Sequence, residues 1–232
     1  MGSTRLPRKV LADIQGHPML WYVIHRARAA TTVDEVVVAT TTQSRDQAIV
    51  DFCRENGVSC FRGREEDVLD RYYQAALERE ADVVVRITSD CPLIDPSIID
   101  KVVRSFLLGQ CDYASNVMVR TYPRGLDTEV MTLRALEQAW INAGEPYQRV
   151  HVTPYIYENP STFRLLSVTG DGDYSQYRWT VDTEQDLELV RAVYTRLKGR
   201  ECYLDDVLKL MDREPGLADI NRAIAQKSLR EG

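Results

Sequence analysis

The chain has 232 residues, 44% of them hydrophobic, which suits one large domain with a sizeable core and excludes a disordered polymer. Its formal net charge of −6 argues against a nucleic-acid binder, which needs a basic face to meet phosphates. The five cysteines are scattered, odd in number and without CxxC spacing, so they read as reduced thiols, not as a disulfide framework or a zinc site. No apolar run approaches the roughly 20 residues that cross a bilayer, and no signal-peptide pattern is seen; a cytoplasmic protein is expected.

Taken in chain order, residues 18–30 form an amphipathic helix that opens on Pro18, where a missing N–H costs nothing. The β-branched run 35–40 reads as a buried strand. A helix follows over 44–56, with Gly57 placed as its C-terminal cap. Residues 58–61 form a second strand. The helix over 67–80 shows Val68, Tyr72, Ala75 and Ala76 on one face. Residues 82–88 form a third strand, and Asp95-Pro96 starts a helix that runs to about 108. Beyond it, strands are expected at 111–117, 126–132, 163–168 and 177–181. Helices are expected at 132–143, 147–158, 183–198 with Thr183 as N-cap, and from 203 onward.

Alternating strands and helices with short connections predict an α/β, Rossmann-like fold with a mostly parallel or mixed sheet and helices on both faces. The organisation is a single domain with an insertion near 117–160. In such sheets ligands bind outside the carboxyl ends of the strands. Chemistry is therefore expected in the loops that follow strands.

Three segments stand out. The opening loop Gly2-Ser3-Thr4-Arg5-Leu6-Pro7-Arg8-Lys9 combines glycine, hydroxyls and cations, the chemistry that cradles phosphates. A solvated basic terminus accounts for it equally well, and the Walker spacing is absent. Asp90 follows the strand over 82–88 and could ligate a hard cation; capping the turn before Pro92 is the other reading. Asp182 again follows an apolar strand and precedes a helix. The pair Thr183 and Asp186 has capping-box spacing, which leaves Asp182 without a structural account. His17, His25 and His151 form no ligand constellation; His17 and His25 read as packing residues, and His151 reads equally as a pocket-lining or a structural residue. Cys91 reads as a small buried hydrophobe.

These segments resemble the cytidylyltransferase family that makes CMP-activated acidic sugars, with the spore-coat polysaccharide branch as its nearest part. The blocks that carry the resemblance are GSTRLPRKVLADIQGHPML, FRGREEDVLDRYYQAA, VVRITSDCPLIDP, DYASN, YPRGLDTEV, HVTPYI and RWTVDTEQDLELV, in the family's order. The resemblance implies the nucleotide-diphospho-sugar transferase type of fold and transfer of CMP from CTP to an acidic sugar with release of pyrophosphate. It implies Mg2+ held by Asp90 and Asp182, and a triphosphate cradled by Gly2, Ser3, Arg5 and Lys9. Arg71 is implied to reach the base or ribose. Arg124 and Gly125 are implied at the sugar, although a surface turn explains that block equally. A homodimer through residues 117–160 is also implied.

The chain departs from the family in two places. The family has an apolar strand and an Arg ahead of the glycine loop, which here begins at Gly2, and the expectation is a native start upstream. That strand belongs in the sheet interior, where its loss would leave unpaired edges on both neighbours. Arg8 also stands where the family has Gly, which restricts the loop backbone. Two other readings compete. One is a nucleotide-sugar glycosyltransferase, for which Asp171-Gly-Asp173 would be the acidic motif. The other is a nucleotide-binding protein that has lost turnover.

Overall fold

The computed structural model describes residues 5–198 and 202–228. Gly2 and Ser3 lie outside the described residues. A two-residue hairpin opens the chain, β1 (Asp13–Ile14) against β2 (His17–Pro18), and leads into α1 (Met19–Arg28). Pro18 is therefore the residue before the helix and not its first turn, because it lies opposite Asp13 in the hairpin with an extended backbone (φ −59°, ψ 146°). Then follow β3 (Val37–Thr41), α2 (Gln47–Glu55), β4 (Ser59–Gly63), α3 (Val68–Glu78), β5 (Val83–Arg86) and α4 (Pro96–Gly109). The second half contributes β6 (Tyr113–Ser115), β7 (Glu129–Thr132), α5 (Leu133–Asn142), α6 (Pro146–His151), α7 (Pro154–Tyr157) and β8 (Leu165–Ser167). The chain then closes with α8 (Glu184–Leu197), α9 (Leu204–Arg213) and α10 (Gly216–Asp219).

Local signals set many of these boundaries. Asp95 caps α4 by accepting from the Ser97 amide, with Pro96 in the first turn. Thr183 and Asp186 form a capping box at the start of α8. Gly57 follows α2 at φ 60°, the left-handed conformation that ends helices. The expected helix over 147–158 is instead broken into α6 and α7 at Val152, whose φ is 75°. Pro154 lacks the N–H that an uninterrupted ladder would need there.

The sheet is mixed and lies in two pieces. β3 and β4 pair in parallel, from Val37 opposite Ser59 to Thr41 opposite Gly63. The other piece has the order β5-β7-β6-β8, in which β7 is antiparallel to both neighbours and β6 is parallel to β8. Among the described residues β3 pairs only with β4, and β5 only with β7. Among the described residues, the stretch expected as a strand over 177–181 joins no ladder and makes only a bridge between Arg124 and Arg178. Its backbone is divided between two loops: Trp179 N–H donates to the Arg124 carbonyl at 2.7 Å and Val181 N–H to the Asp90 carbonyl at 2.8 Å. That division welds three ligand-facing loops together.

Helices cover both faces. On one, Met19 and Leu20 of α1 share a core with Ile99 and Val102 of α4 and Val190 and Val193 of α8. On the other, Leu69 of α3 packs with Leu136 of α5, Tyr113 and Ile156. Burial of this apolar surface is the main stabilising term, about 25 cal/mol per Å² removed from water. No helix among the described residues is long and apolar enough to cross a membrane.

Candidate active site

The loop after β5 presents Asp90, the loop before α8 presents Asp182, and the opening turn presents Lys9. The Lys9 ammonium donates to Asp90 Oδ2 at 2.9 Å, Asp182 Oδ1 at 2.8 Å and the Val181 carbonyl at 2.8 Å. All three of its protons are thereby used. Two carboxylates separated by about ninety residues of sequence thus share one cation, as loops at the carboxyl ends of an open sheet allow. Arg5 adds a second positive charge, 3.0 Å from Asp182 Oδ2. Burial alone would lower the pKa of Lys9, but the charges and hydrogen bonds of Asp90 and Asp182 outweigh it and hold the ammonium above its ordinary value. Burial likewise works against ionisation of Asp182, and Lys9, Arg178 and Arg5 reverse it, holding the carboxyl below its ordinary value.

The turn that carries Lys9 is strained. Arg8 has φ 60°, a left-handed conformation that a side chain adopts at a cost of ~1 kcal/mol and glycine adopts freely. A 3-10 turn over Lys9–Leu11 follows directly and turns Lys9 inward.

Arg71 and Arg124 line two different cavities. Arg71 belongs to one of about 350 Å³ beside β3, with Val38, Thr40, Thr41, Asp46 and Ser89. Val10 and Ser89, the chain neighbours of Lys9 and Asp90, also line it, so this cavity adjoins the carboxylate pair. The Arg71 side chain crosses the end of β4 where Gly63 leaves room, since a Cβ there would stand 2.4 Å from Arg71 Cγ. Its Nε is buried and has no hydrogen-bond partner among the described residues. Asp46 accepts from the Thr40 and Thr41 hydroxyls at 3.1 and 2.6 Å and fixes the wall opposite.

Arg124 lines a second cavity of about 450 Å³ with Arg178, Trp179, Asn221 and Gln226. Burial, together with the charges of Arg120 and Arg178, lowers its pKa from the ordinary value. Gly125 has a packing reason of its own: at φ 104°, a Cβ would meet Thr180 N at 2.6 Å.

Arg178 is the main site residue that sequence reasoning passed over. It bonds Asp182 Oδ2 at 2.6 Å and Asp186 Oδ1 at 3.0 Å. The available signal was its spacing, four residues before one Asp and eight before the next. Thr40 and Thr41 were also missed, although hydroxyls at the carboxyl end of a strand are a usable cue. His17 and His25 stack on either side of Trp21, at 4.1 and 4.7 Å between ring centres. Cys91 is buried, and burial pushes its thiol well above the ordinary value, which suits a packing role. Asp171 and Asp173 are exposed, and Asp173 is engaged in accepting from the Ser175 amide.

The residues fit a magnesium ion. Two hard carboxylates already share a cation, and Mg2+ is commonly bound by one or two carboxylates with substrate phosphates and waters completing its shell. Among the described residues no group of three or more His, Cys, Asp or Glu is arranged to hold a metal unaided.

A mixed sheet with helices on both faces and an acid–base cluster at its loop end defines a nucleotidyltransferase of the nucleotide-diphospho-sugar transferase fold. A solved cytidylyltransferase from Leptospira borgpetersenii superposes with a TM-score of 0.90 at 33% identity, covering 98% of this chain and 95% of that one. The cytidylyltransferase family profile matches residues 1–207. The chain belongs to the cytidylyltransferase family. It is 31% identical over 226 residues to the spore coat polysaccharide biosynthesis protein SpsF of Bacillus subtilis, which spans 94% of this chain and 93% of that protein. A 3-deoxy-manno-octulosonate cytidylyltransferase of Nitratidesulfovibrio vulgaris is 39% identical over 109 residues, 45% of this chain and 42% of its own.

Proposed function

We propose that this protein transfers CMP from CTP to an acidic sugar, with Mg2+ as the metal. The observation that carries the reading is the shared hold of Asp90 and Asp182 on the Lys9 ammonium. It supports the reading because two carboxylates there accept a positive charge, and Ser89, the chain neighbour of Asp90, lines the cavity of about 350 Å³.

Asp90 and Asp182 would hold the ion, which when bound supplies Lewis-acid polarisation of phosphate oxygens and a template for in-line geometry. A sugar hydroxyl forms the new bond to the α-phosphorus of CTP while the bond from that phosphorus to the bridging oxygen breaks, and pyrophosphate leaves. Lys9 and Arg5 neutralise the triphosphate and the charge that builds on the leaving group, and Gly2 and Ser3 of the same loop would donate hydrogen bonds to the phosphates. The cavity beside β3 takes the nucleoside, with the Nε–H of Arg71, which has no partner among the described residues, as a donor to base or ribose. Arg124 takes the carboxylate of the sugar, a reading supported by the name of the Nitratidesulfovibrio relative, a 3-deoxy-manno-octulosonate cytidylyltransferase. Residues 117–160 serve a dimer, with Val119 and Ile141 exposed for it.

The test is incubation with Mg2+, CTP and a panel of sugar acids, with pyrophosphate and CMP-sugar measured together. Pyrophosphate release that needs both substrates, with CMP-sugar in equal amount, is the expected result. Asp90→Asn and Asp182→Asn each cut the rate at least ~100-fold while the protein stays folded at the assay temperature, as circular dichroism checks. Arg124→Ala raises KM for the sugar acid and leaves KM for CTP unchanged. Sugar-independent hydrolysis, or near-normal rates in both Asn variants, would overturn the proposal.

A further inference from the structure

We infer that Arg178 is a positioning residue for Asp182, and that the C-terminal segment after α10 belongs to the frame of the active site through Asn221 and Gln226. The inference rests on the reading of Asp182 as a cation ligand.

Asp182 has two carboxylate oxygens with different tasks. Oδ1 faces Lys9 at 2.8 Å. Oδ2 is held from behind by Arg178 at 2.6 Å, with Arg5 at 3.0 Å. The carboxylate plane is therefore set by Arg178, whose own side chain is only 8% exposed. Every nitrogen of its guanidinium is engaged. Nε donates to Asp186 Oδ1 at 3.0 Å, Nη2 is shared between Asp182 Oδ2 and Asp186 Oδ2, the latter at 3.4 Å, and Nη1 donates to Gln226 Oε1 at 2.5 Å. A planar fork with all its arms tied has one orientation.

The ties come from two directions. Asp186, fully buried, also accepts from the Asp182 and Thr183 amides at 3.0 Å each, which fixes the backbone at Asp182. Asn221 uses one amide nitrogen to hold both the Arg178 carbonyl at 2.9 Å and Asp186 Oδ1 at 2.8 Å. Asn221 and Gln226 thus reach Asp182 only through Arg178 and Asp186. Helix capping by Asp186 needs Thr183 alone; it does not require an Arg that also grips Asp182, nor a tail that grips the Arg. Outer-shell partners of this kind orient metal ligands, and their loss commonly weakens metal affinity about 10- to 100-fold.

The experiment measures the ternary complex of protein, CTP and Mn2+ by water-proton relaxation, next to CTP affinity in EDTA and the melting temperature. Asn221→Ala weakens Mn2+ about tenfold, and Gln226→Ala about threefold, while CTP affinity in EDTA stays at the wild-type value. Because Gln226 is exposed, its truncation leaves the fold standing and keeps the test decisive if Asn221→Ala lowers the melting temperature. Arg178→Lys loses as much Mn2+ affinity as Arg178→Ala, since an ammonium cannot tie three partners in one plane. Unchanged Mn2+ affinity in both tail variants overturns the inference. Asp182→Asn separates the two levels: if it leaves Mn2+ affinity intact, the metal-ligand reading fails; if it abolishes binding while the tail variants bind normally, only the positioning role fails.

Discussion

At the residue scale, the site is governed by charge that is buried but paired. Lys9 is held between two acids and Asp182 between three cations, so each group stays ionised in a partly buried setting that would otherwise neutralise it. Two backbone conformations support the arrangement at opposite ends. Arg8 accepts left-handed strain so that Lys9 can turn inward, and Gly125 lets the loop over 122–125 lie against the Trp179–Thr180 backbone. The second feature is testable. Gly125→Ala forces a Cβ into main chain at positive φ and costs ~2 kcal/mol or more. Urea unfolding of the variant measures it, and a change within error of zero would show that the two loops can part.

At the element scale, α8 links stability to the site, because its capping box and its hold on Arg178 use the same carboxylate. Burial would raise the pKa of Asp186, but the hydrogen bonds from Arg178, Asn221 and the Asp182 amide outweigh it and keep the carboxyl below its ordinary value. A depressed acid contributes its full stability above its unfolded pKa of about 4, and loses it as pH falls through the lower folded value. Asp186→Asn therefore costs about 3 kcal/mol near neutrality, where it leaves Arg178 without its partner, and progressively less below pH ~4. Melting curves of both proteins across that range give the comparison; a gap that stays constant with pH would remove Asp186 from the account. α6 and α7 illustrate the limit of periodicity. Residues 147–158 carry a helical pattern, yet the backbone turns at Val152 because Pro154 cannot continue the ladder and Thr153 instead donates its hydroxyl to Glu129 at 2.6 Å.

At the scale of the whole molecule, the sheet is held most firmly at β7, which pairs on both sides with β5 and β6. β3 and β4 form a separate parallel pair, so half of their edge groups have no ladder partner among the described residues. Amide exchange should follow this division. The β7 amides exchange at least ~10-fold more slowly than those of β3, since they open only with the larger unit. Equal protection in the two strands would show that the pieces open together.

Much of this was legible in the sequence. The β-branched runs, Asp95 and Thr183 as caps, Gly57 at a helix end and the alternation of strand and helix are local signals, and local physics suffices for them. The chemical character of Lys9, Asp90 and Asp182 was legible too, as residue types in loops that follow apolar runs. Their convergence was not, because no property of Asp90 reports on a residue about ninety positions away. The mixed sheet, the division of 177–181 between two loops, the separate cavities of Arg71 and Arg124, and the reach of Asn221 and Gln226 to Arg178 belong to the same class. Each depends on which distant backbone groups meet once the core closes, and only the tertiary structure decides that.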